Sequence, residues 1–229
     1  MNKIPKRFIR IWIGNKPMPN KFQEWWNDFK KIHPDYHFIT LTDKDIGSTI
    51  KIPPYLTRVI TNVKWKSSVS NILRYCALYQ IGGIYVDTDI MPLKSFDEIL
   101  NKDNRPFLAK RSNKSFENAV IGSPANHIAF KEVLEKLPNY YDKHLNRQSS
   151  VQTGPTYISS ILFGRKDINH LPMETFYPFN GFMAPKREDK IKMFSNKNNF
   201  PNNMICAHFS NHRWGGKPTD KSKWNIQFI

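Results

Sequence analysis

The chain has 229 residues, 39% hydrophobic and 14% aromatic, which is ample for a sizeable core and too apolar for a disordered chain. Lys and Arg number 35 against 19 Asp and Glu, a formal charge of +16. That surplus favours anionic partners such as nucleic acid, an acidic membrane surface or phosphorylated small molecules, although solubility and base composition also produce it. Two cysteines, Cys76 and Cys206, are too few for a disulfide framework. The sequence has no uninterrupted apolar run suited to a signal peptide or to a span of roughly 18 residues. The expectation is a soluble, cytoplasmic protein, able to sit peripherally on an acidic membrane surface through its charge.

In chain order, RFIRIWIG (Arg7 to Gly14) predicts a first strand, rich in β-branched and aromatic residues. Phe22, Trp25, Trp26 and Phe29 recur at helical spacing, and His33-Pro34 ends that pattern. Tyr36 to Thr42 predicts a second strand, completing a β-α-β opening that points to a parallel sheet with helices on its faces. Residues 43–66 look irregular around Pro53-Pro54. A helix follows, with Ser67 or Ser68 as its cap, an apolar stripe of Val69, Ile72, Leu73, Cys76 and Ala77, and Gly82-Gly83 as its stop. GGIYVDTDIMPL (Gly82 to Leu93) reads as one strand ending near Pro92.

Beyond it, SFDEIL predicts a short helix, PFLAKR and NAVIGS two strands, and HIAFKEVLEKLPNYYDKHL a helix with a boundary at Leu137-Pro138. TGPTYISSILFG turns at Gly-Pro and becomes helical. From about residue 165 the chain is loop-rich, with short strands expected around Phe176 to Phe179 and Met204 to Phe209. No repeat or linker divides it, so one α/β domain over 1–229 is expected.

The two aspartates inside GGIYVDTDIMPL set the chemistry. On a continuous strand, Tyr85, Asp87, Asp89 and Met91 share a face, with the aspartate Cα atoms roughly 7 Å apart. Two like charges so placed repel and are costly to desolvate, and a divalent cation relieves both problems. Oxygen ligands suit Mg²⁺ or Mn²⁺. At the carboxyl end of a parallel strand, the pair falls where open α/β sheets bind ligands. A solvated strand end with Asp89 opening a turn is the plainer alternative.

The run ILRYCALYQIGGIYVDTDIMPL resembles family 32 of the glycosyltransferases, the sugar transferases with an Asp-x-Asp motif. That family includes yeast initiating mannosyltransferases and bacterial capsule enzymes, and the clostridial glucosylating toxins are distant relatives. IPKRFIRIWIG, NAVIGSPANH and HFSNHRW resemble its opening, middle and closing segments, in the same order. The resemblance implies a GT-A-type fold, a Rossmann-like, mostly parallel sheet flanked by helices, binding a nucleotide sugar with Mn²⁺ or Mg²⁺.

It also implies roles. Ile11 and Trp12 would hold the base, Trp12 by stacking. Asn71 and Arg74, three apart on a helix, would face the donor sugar, with Asn71 standing where the family usually has aspartate. Tyr85 would line the same face. Asp87 would bond the ribose and sugar, and Asn118 would touch the sugar. Asp89 and His208 would bind the metal, completed by Asn211 or, alternatively, His212. Trp214 would cover the diphosphate. Asp87, Asp89 and Arg74 form the catalytic set. Lys6 and Arg10 can reach phosphate or serve as surface charges.

The expected reaction is retaining, metal-dependent transfer from a nucleotide-diphosphate sugar to an acceptor hydroxyl. A UDP-sugar is favoured, since Ile11 to Gly14 resembles the toxins' uridine-binding strand, and a GDP-sugar is the alternative. The acceptor is a glycan, a lipid-linked glycan or a protein. Two other classes stay open, a non-catalytic nucleotide-sugar-binding relative and a metal-dependent nucleic-acid enzyme. Scattered basic residues and the absence of a nucleic-acid motif argue against specific nucleic-acid binding.

Overall fold

The computed structural model describes residues 3–179 and 185–210. Strands β1 (Arg7–Ile11), β2 (His37–Leu41), β3 (Gly83–Val86), β5 (Phe107–Ser112), β6 (Ser115–Ser123) and β7 (Asn169–Leu171) form a six-stranded sheet in the order β2-β1-β3-β6-β5-β7. The pairs β1–β2, β1–β3 and β5–β7 are parallel, and β6 is antiparallel to both its neighbours. Five strands therefore run one way, and their carboxyl ends lie along a single edge. A separate two-stranded ribbon pairs β4 (Ile90–Pro92) with β8 (Cys206–His208), antiparallel.

Strand alternation divides the core between the two faces of the sheet. Ile9, Tyr85, Leu108 and Ile121 pack with Leu56, Val59 and Ile60 of α2 (Pro54–Asn62), the buried side of α3 (Lys66–Gln80), and residues of α5 (Ile128–Asp142) and α7 (Pro155–Leu162). Phe8, Ile84, Val86, Phe107 and Val120 pack on the opposite face, against Trp26 and Phe29 of α1 (Asn20–Ile32) and against Phe96. A third cluster seats Met91 and Ala207 of the ribbon on Phe22 and Trp25 of α1.

The elements follow from local chemistry, with several departures from the sequence reading. The α1 stripe buries Phe22, Trp25, Trp26 and Phe29 as its spacing predicts. The irregular region contains α2, because Pro54 sits in the first turn, where a missing N–H costs nothing. Trp65, not Ser67 or Ser68, is the N-cap of α3, and no side chain caps it. Ser68 to Leu78 is buried all round, so a single apolar stripe describes α3 too narrowly. Gly82 and Gly83 turn the chain from α3 into β3 at φ +64° and +118°, and a Cβ on Gly82 would lie 2.5 Å from the Ala125 amide nitrogen.

The predicted single strand from Gly82 to Pro92 is broken. Its ladder to β6 ends at Val86, Asp87 to Asp89 turn, and Ile90 begins the ribbon. Helix α5 continues through Pro138, so the predicted boundary there is absent. Phe176 to Phe179 forms no strand; Phe176 and Tyr177 are buried rings in a turn after a short 3₁₀ helix. The loop-rich stretch also holds β7 and α8 (Arg187–Met193). Two further short helices are α4 (Asp97–Leu100) and α6 (Ser149–Gln152). No helix among the described residues is long and apolar enough to cross a membrane.

Candidate active site

The carboxyl edge of the sheet carries a cavity of about 240 Å³. Ile11 closes it from the end of β1, Tyr85 from β3, and Asp87 from the turn just after β3. Asn71 and Arg74 enter from α3, and Asn118 from β6. The loops around α6 and α7 add Ser149, Ser150 and Pro155, which the sequence reading did not single out; nothing local marks them, since they reach the site through tertiary packing.

Arg74 is the hub. It is buried, with its guanidinium carbon 4.3 Å from the Tyr85 ring centre and Nη2 3.1 Å from Asp87 Oδ1. Nη1 donates to the Asn118 carbonyl, and Nε donates to the Ser70 carbonyl at 3.4 Å. The Tyr85 hydroxyl donates to the same Asp87 oxygen at 2.6 Å. A planar fork of fixed donors suits this task, because it aligns Asp87 while stacking on an aromatic face.

Asn71 lines the same cavity and is held by a network of its own. Asn118 Nδ2 donates to Asn71 Oδ1 at 3.0 Å and to the Tyr75 hydroxyl at 3.1 Å. Asn71 Nδ2 donates to Thr153 Oγ1 at 3.1 Å, and the Tyr75 hydroxyl donates to the Thr153 carbonyl at 2.8 Å. Both ends of the Asn71 amide are thus engaged in tying α3 to β6 and to the loop before α7.

Beside the cavity, the turn after β3 and the ribbon bring three ligand groups together. Register places His208 opposite Ile90, next to Asp89, and the Phe209 amide donates to the Asp89 carbonyl at 3.0 Å. His208 Nε2 is 3.2 Å from Asp89 Oδ1, and its Nδ1 lies 3.2 Å from Ser210 Oγ. One ligand atom each from Asp87, Asp89 and His208 lie within 4.8 Å of one another. Around an octahedral ion with bonds of about 2.1 Å, ligand atoms stand about 3–4 Å apart. Small side-chain shifts would therefore let these three hold a divalent cation. The broken strand makes this possible, for the turn, rather than a shared strand face, gathers the carboxylates.

The electrostatics match a cation site. Burial raises the Asp87 carboxyl above its ordinary range; Arg74 opposes that and Asp89 adds to it. Burial works against charge on His208, but Asp89 outweighs it and leaves the imidazole pKa raised. Burial likewise raises Glu117 on β6, whose carboxylate pairs with Arg111 at 3.2 Å and feels His208 and Asp87.

Other expected site residues are placed differently. Trp12 is half-buried just past β1, does not line the cavity, and donates its indole N–H to the Lys16 carbonyl at 2.7 Å. Arg10 is buried over the Trp26 ring and donates to Thr40 Oγ1 and Gln23 Oε1, while Lys6 pairs with Asp35 and Asp97, so both are structural. Asn211, His212 and Trp214 lie outside the described residues.

Residues 19–106 match the family described as a glycosyltransferase sugar-binding region containing a DXD motif. Over those residues the chain is similar to the DXD-motif family of glycosyltransferases. It is 28% identical over 164 residues to inositol phosphoceramide mannosyltransferase 3 of Schizosaccharomyces pombe, covering 69% of this chain and 44% of that protein. It is 30% identical to mannosyl phosphorylinositol ceramide synthase SUR1 of Saccharomyces cerevisiae, covering 69% and 41%. The chain thus spans less than half the length of these curated relatives. Among solved structures, the PaToxG glycosyltransferase superposes with TM-score 0.58 at 22% identity, over 71% of this chain and 69% of that one. The galactosyltransferase LgtC superposes with TM-score 0.51 at 13% identity, over 96% and 92%. These likenesses establish the GT-A fold for this chain.

Proposed function

We propose that this glycosyltransferase moves a hexose from a nucleotide-diphosphate sugar to an acceptor hydroxyl, with Asp87, Asp89 and His208 holding Mn²⁺ or Mg²⁺. The observation that carries the reading is the convergence of those three groups beside a cavity whose wall is Arg74 and Asp87. A cation bound there offsets the charge that builds on the leaving diphosphate. Two carboxylates and one imidazole form a mixed donor set compatible with Mn²⁺.

The protein groups divide the remaining work. Arg74 keeps Asp87 aimed at the donor and leaves its own fork beside the sugar position. Asn118 and Asn71 set the far wall of the sugar pocket, and Ile11 borders the nucleoside. The anomeric carbon–phosphate oxygen bond breaks as the acceptor oxygen attacks from the same face. The leaving phosphate oxygen takes the acceptor proton, so the scheme requires no protein nucleophile and retains configuration.

The names of the sequence relatives support a mannosyl donor, while the end of β1 supports UDP. The deciding assay measures nucleotide diphosphate release from UDP-glucose, UDP-galactose and GDP-mannose with Mn²⁺, with Mg²⁺ and with a chelator. Release from one donor, abolished by chelation, is the expected result. Absence of turnover together with absence of UDP and GDP binding refutes the proposal; binding without turnover points to a non-catalytic relative.

A further inference from the structure

A second cavity, of about 380 Å³, opens on the same carboxyl edge of the sheet. Lys110, Arg111, Ser112, Asn113 and His170 line it, with Glu174 the acidic member of its wall. It lies where β5 and β7 end, two and three strands from β3. At about 4.8 Å per strand, that is about 10–15 Å from Asp87. The strand between them, β6, carries Glu117, which pairs with Arg111 on one side and feels Asp87 and His208 on the other.

We propose that this cavity receives an anionic group of the acceptor, a phosphate or a carboxylate, while an acceptor hydroxyl reaches the Asp87–Asp89–His208 centre. The proposal rests on glycosyl transfer at that centre. Two observations carry it. Among the described residues Lys110 forms no ion pair with a carboxylate, which leaves its ammonium to meet a ligand in the cavity. The distance from Asp87 is too great for the donor's own diphosphate to occupy both places, so an anion bound here belongs to the acceptor. Ser112 and Asn113 add neutral donors of the kind that complete an oxyanion shell.

The test separates acceptor from donor. Glucose 6-phosphate and methyl glucuronide, with methyl glucoside as the neutral control, are titrated against the whole chain. UDP and GDP are titrated separately in Mn²⁺. At least one anionic probe binds about 3- to 10-fold tighter than the control, as expected for one half-exposed charge contact, and added salt shrinks the preference. Which probe responds tells phosphate from carboxylate. Lys110→Ser removes the preference and leaves nucleotide affinity unchanged, while Glu174→Gln, at an exposed position, strengthens it. Equal binding of charged and neutral probes, or a preference that survives Lys110→Ser, overturns the site. Absence of nucleotide binding with the anion preference intact refutes glycosyl transfer instead.

Discussion

Replacing Arg74 by alanine in metal-free protein leaves Asp87 facing Asp89 with only the His208 imidazole nearby and the Tyr85 hydroxyl to stabilise it. Breaking a buried pair typically costs about 3–5 kcal/mol. The Asp87 side chain keeps 27% of its exposure, so water offsets part of that cost, and about 3 kcal/mol is expected. For a chain of this length, each kcal/mol lowers Tm by about 2–4 °C, giving a fall of roughly 6–12 °C. Arg74→Lys keeps the charge but loses the fork and the stack on Tyr85, and should cost about 1–2 kcal/mol. The decisive measurement is a double-mutant cycle with Asp87→Asn, read by calorimetry in chelator. Once Asp87 is neutral, removing Arg74 strands no charge, so a coupling of about 1–3 kcal/mol is expected. Single and double variants that add to within about 0.5 kcal/mol would show that Arg74 is held by packing and hydrogen bonds alone, and the ion-pair argument would fail.

His208→Ala should weaken Mn²⁺ binding at least about 10-fold by isothermal titration, since a ligand is lost; unchanged affinity removes His208 from the site. His33 is buried and neutral, its Nε2 accepting from the Phe96 amide at 2.9 Å and its Nδ1 hydrogen-bonded to the Phe29 carbonyl, and burial lowers its pKa. Below about pH 6.5 the unfolded chain binds a proton that the folded one resists, so stability falls as pH drops from there toward the lower folded pKa, at up to about 1.4 kcal/mol per unit. His33→Gln should flatten that part of a denaturant-midpoint profile, and an unchanged slope would contradict the assignment. Pro138 lacks the N–H that would bond the Leu134 carbonyl inside α5, so Pro138→Ala should raise stability by about 1–3 kcal/mol. A loss of stability would show that the ring's packing outweighs the missing bond.

Much of the site was legible because its chemistry is local. Arg74 and Asn71 sit on a helix whose spacing is plain, and Asp87 and Asp89 lie two apart. His208 follows an apolar run that forms β8 as expected. The break after Val86 was not legible, because alternation says nothing about where a ladder ends, and β4 pairs with a strand far along the chain. The stretch around Pro53-Pro54 looked irregular, although Pro54 suits a helix's first turn. The roles of Tyr75 and Thr153 in fixing Asn71 were equally hidden, because the hydrogen bonds to Thr153 join residues 78 and 82 positions apart in sequence. The hydrogen bond that fixes the Trp12 indole was also hidden, because its partner is a backbone carbonyl, at Lys16.

The ribbon of β4 and β8 has a consequence for stability as well as for chemistry. It is two short strands with no third neighbour among the described residues, seated on α1, and it joins residues far apart in sequence. Such a closure is entropically costly and prone to open locally. A cation held between the β3 turn and His208 would act as a fastener across it. The folded population would then depend on free metal through mass action, by about 2.7 kcal/mol at a hundredfold excess over the dissociation constant. Cation starvation would thus loosen the end of the chain that carries His208, removing the catalytic centre by unthreading its scaffold rather than by merely emptying it.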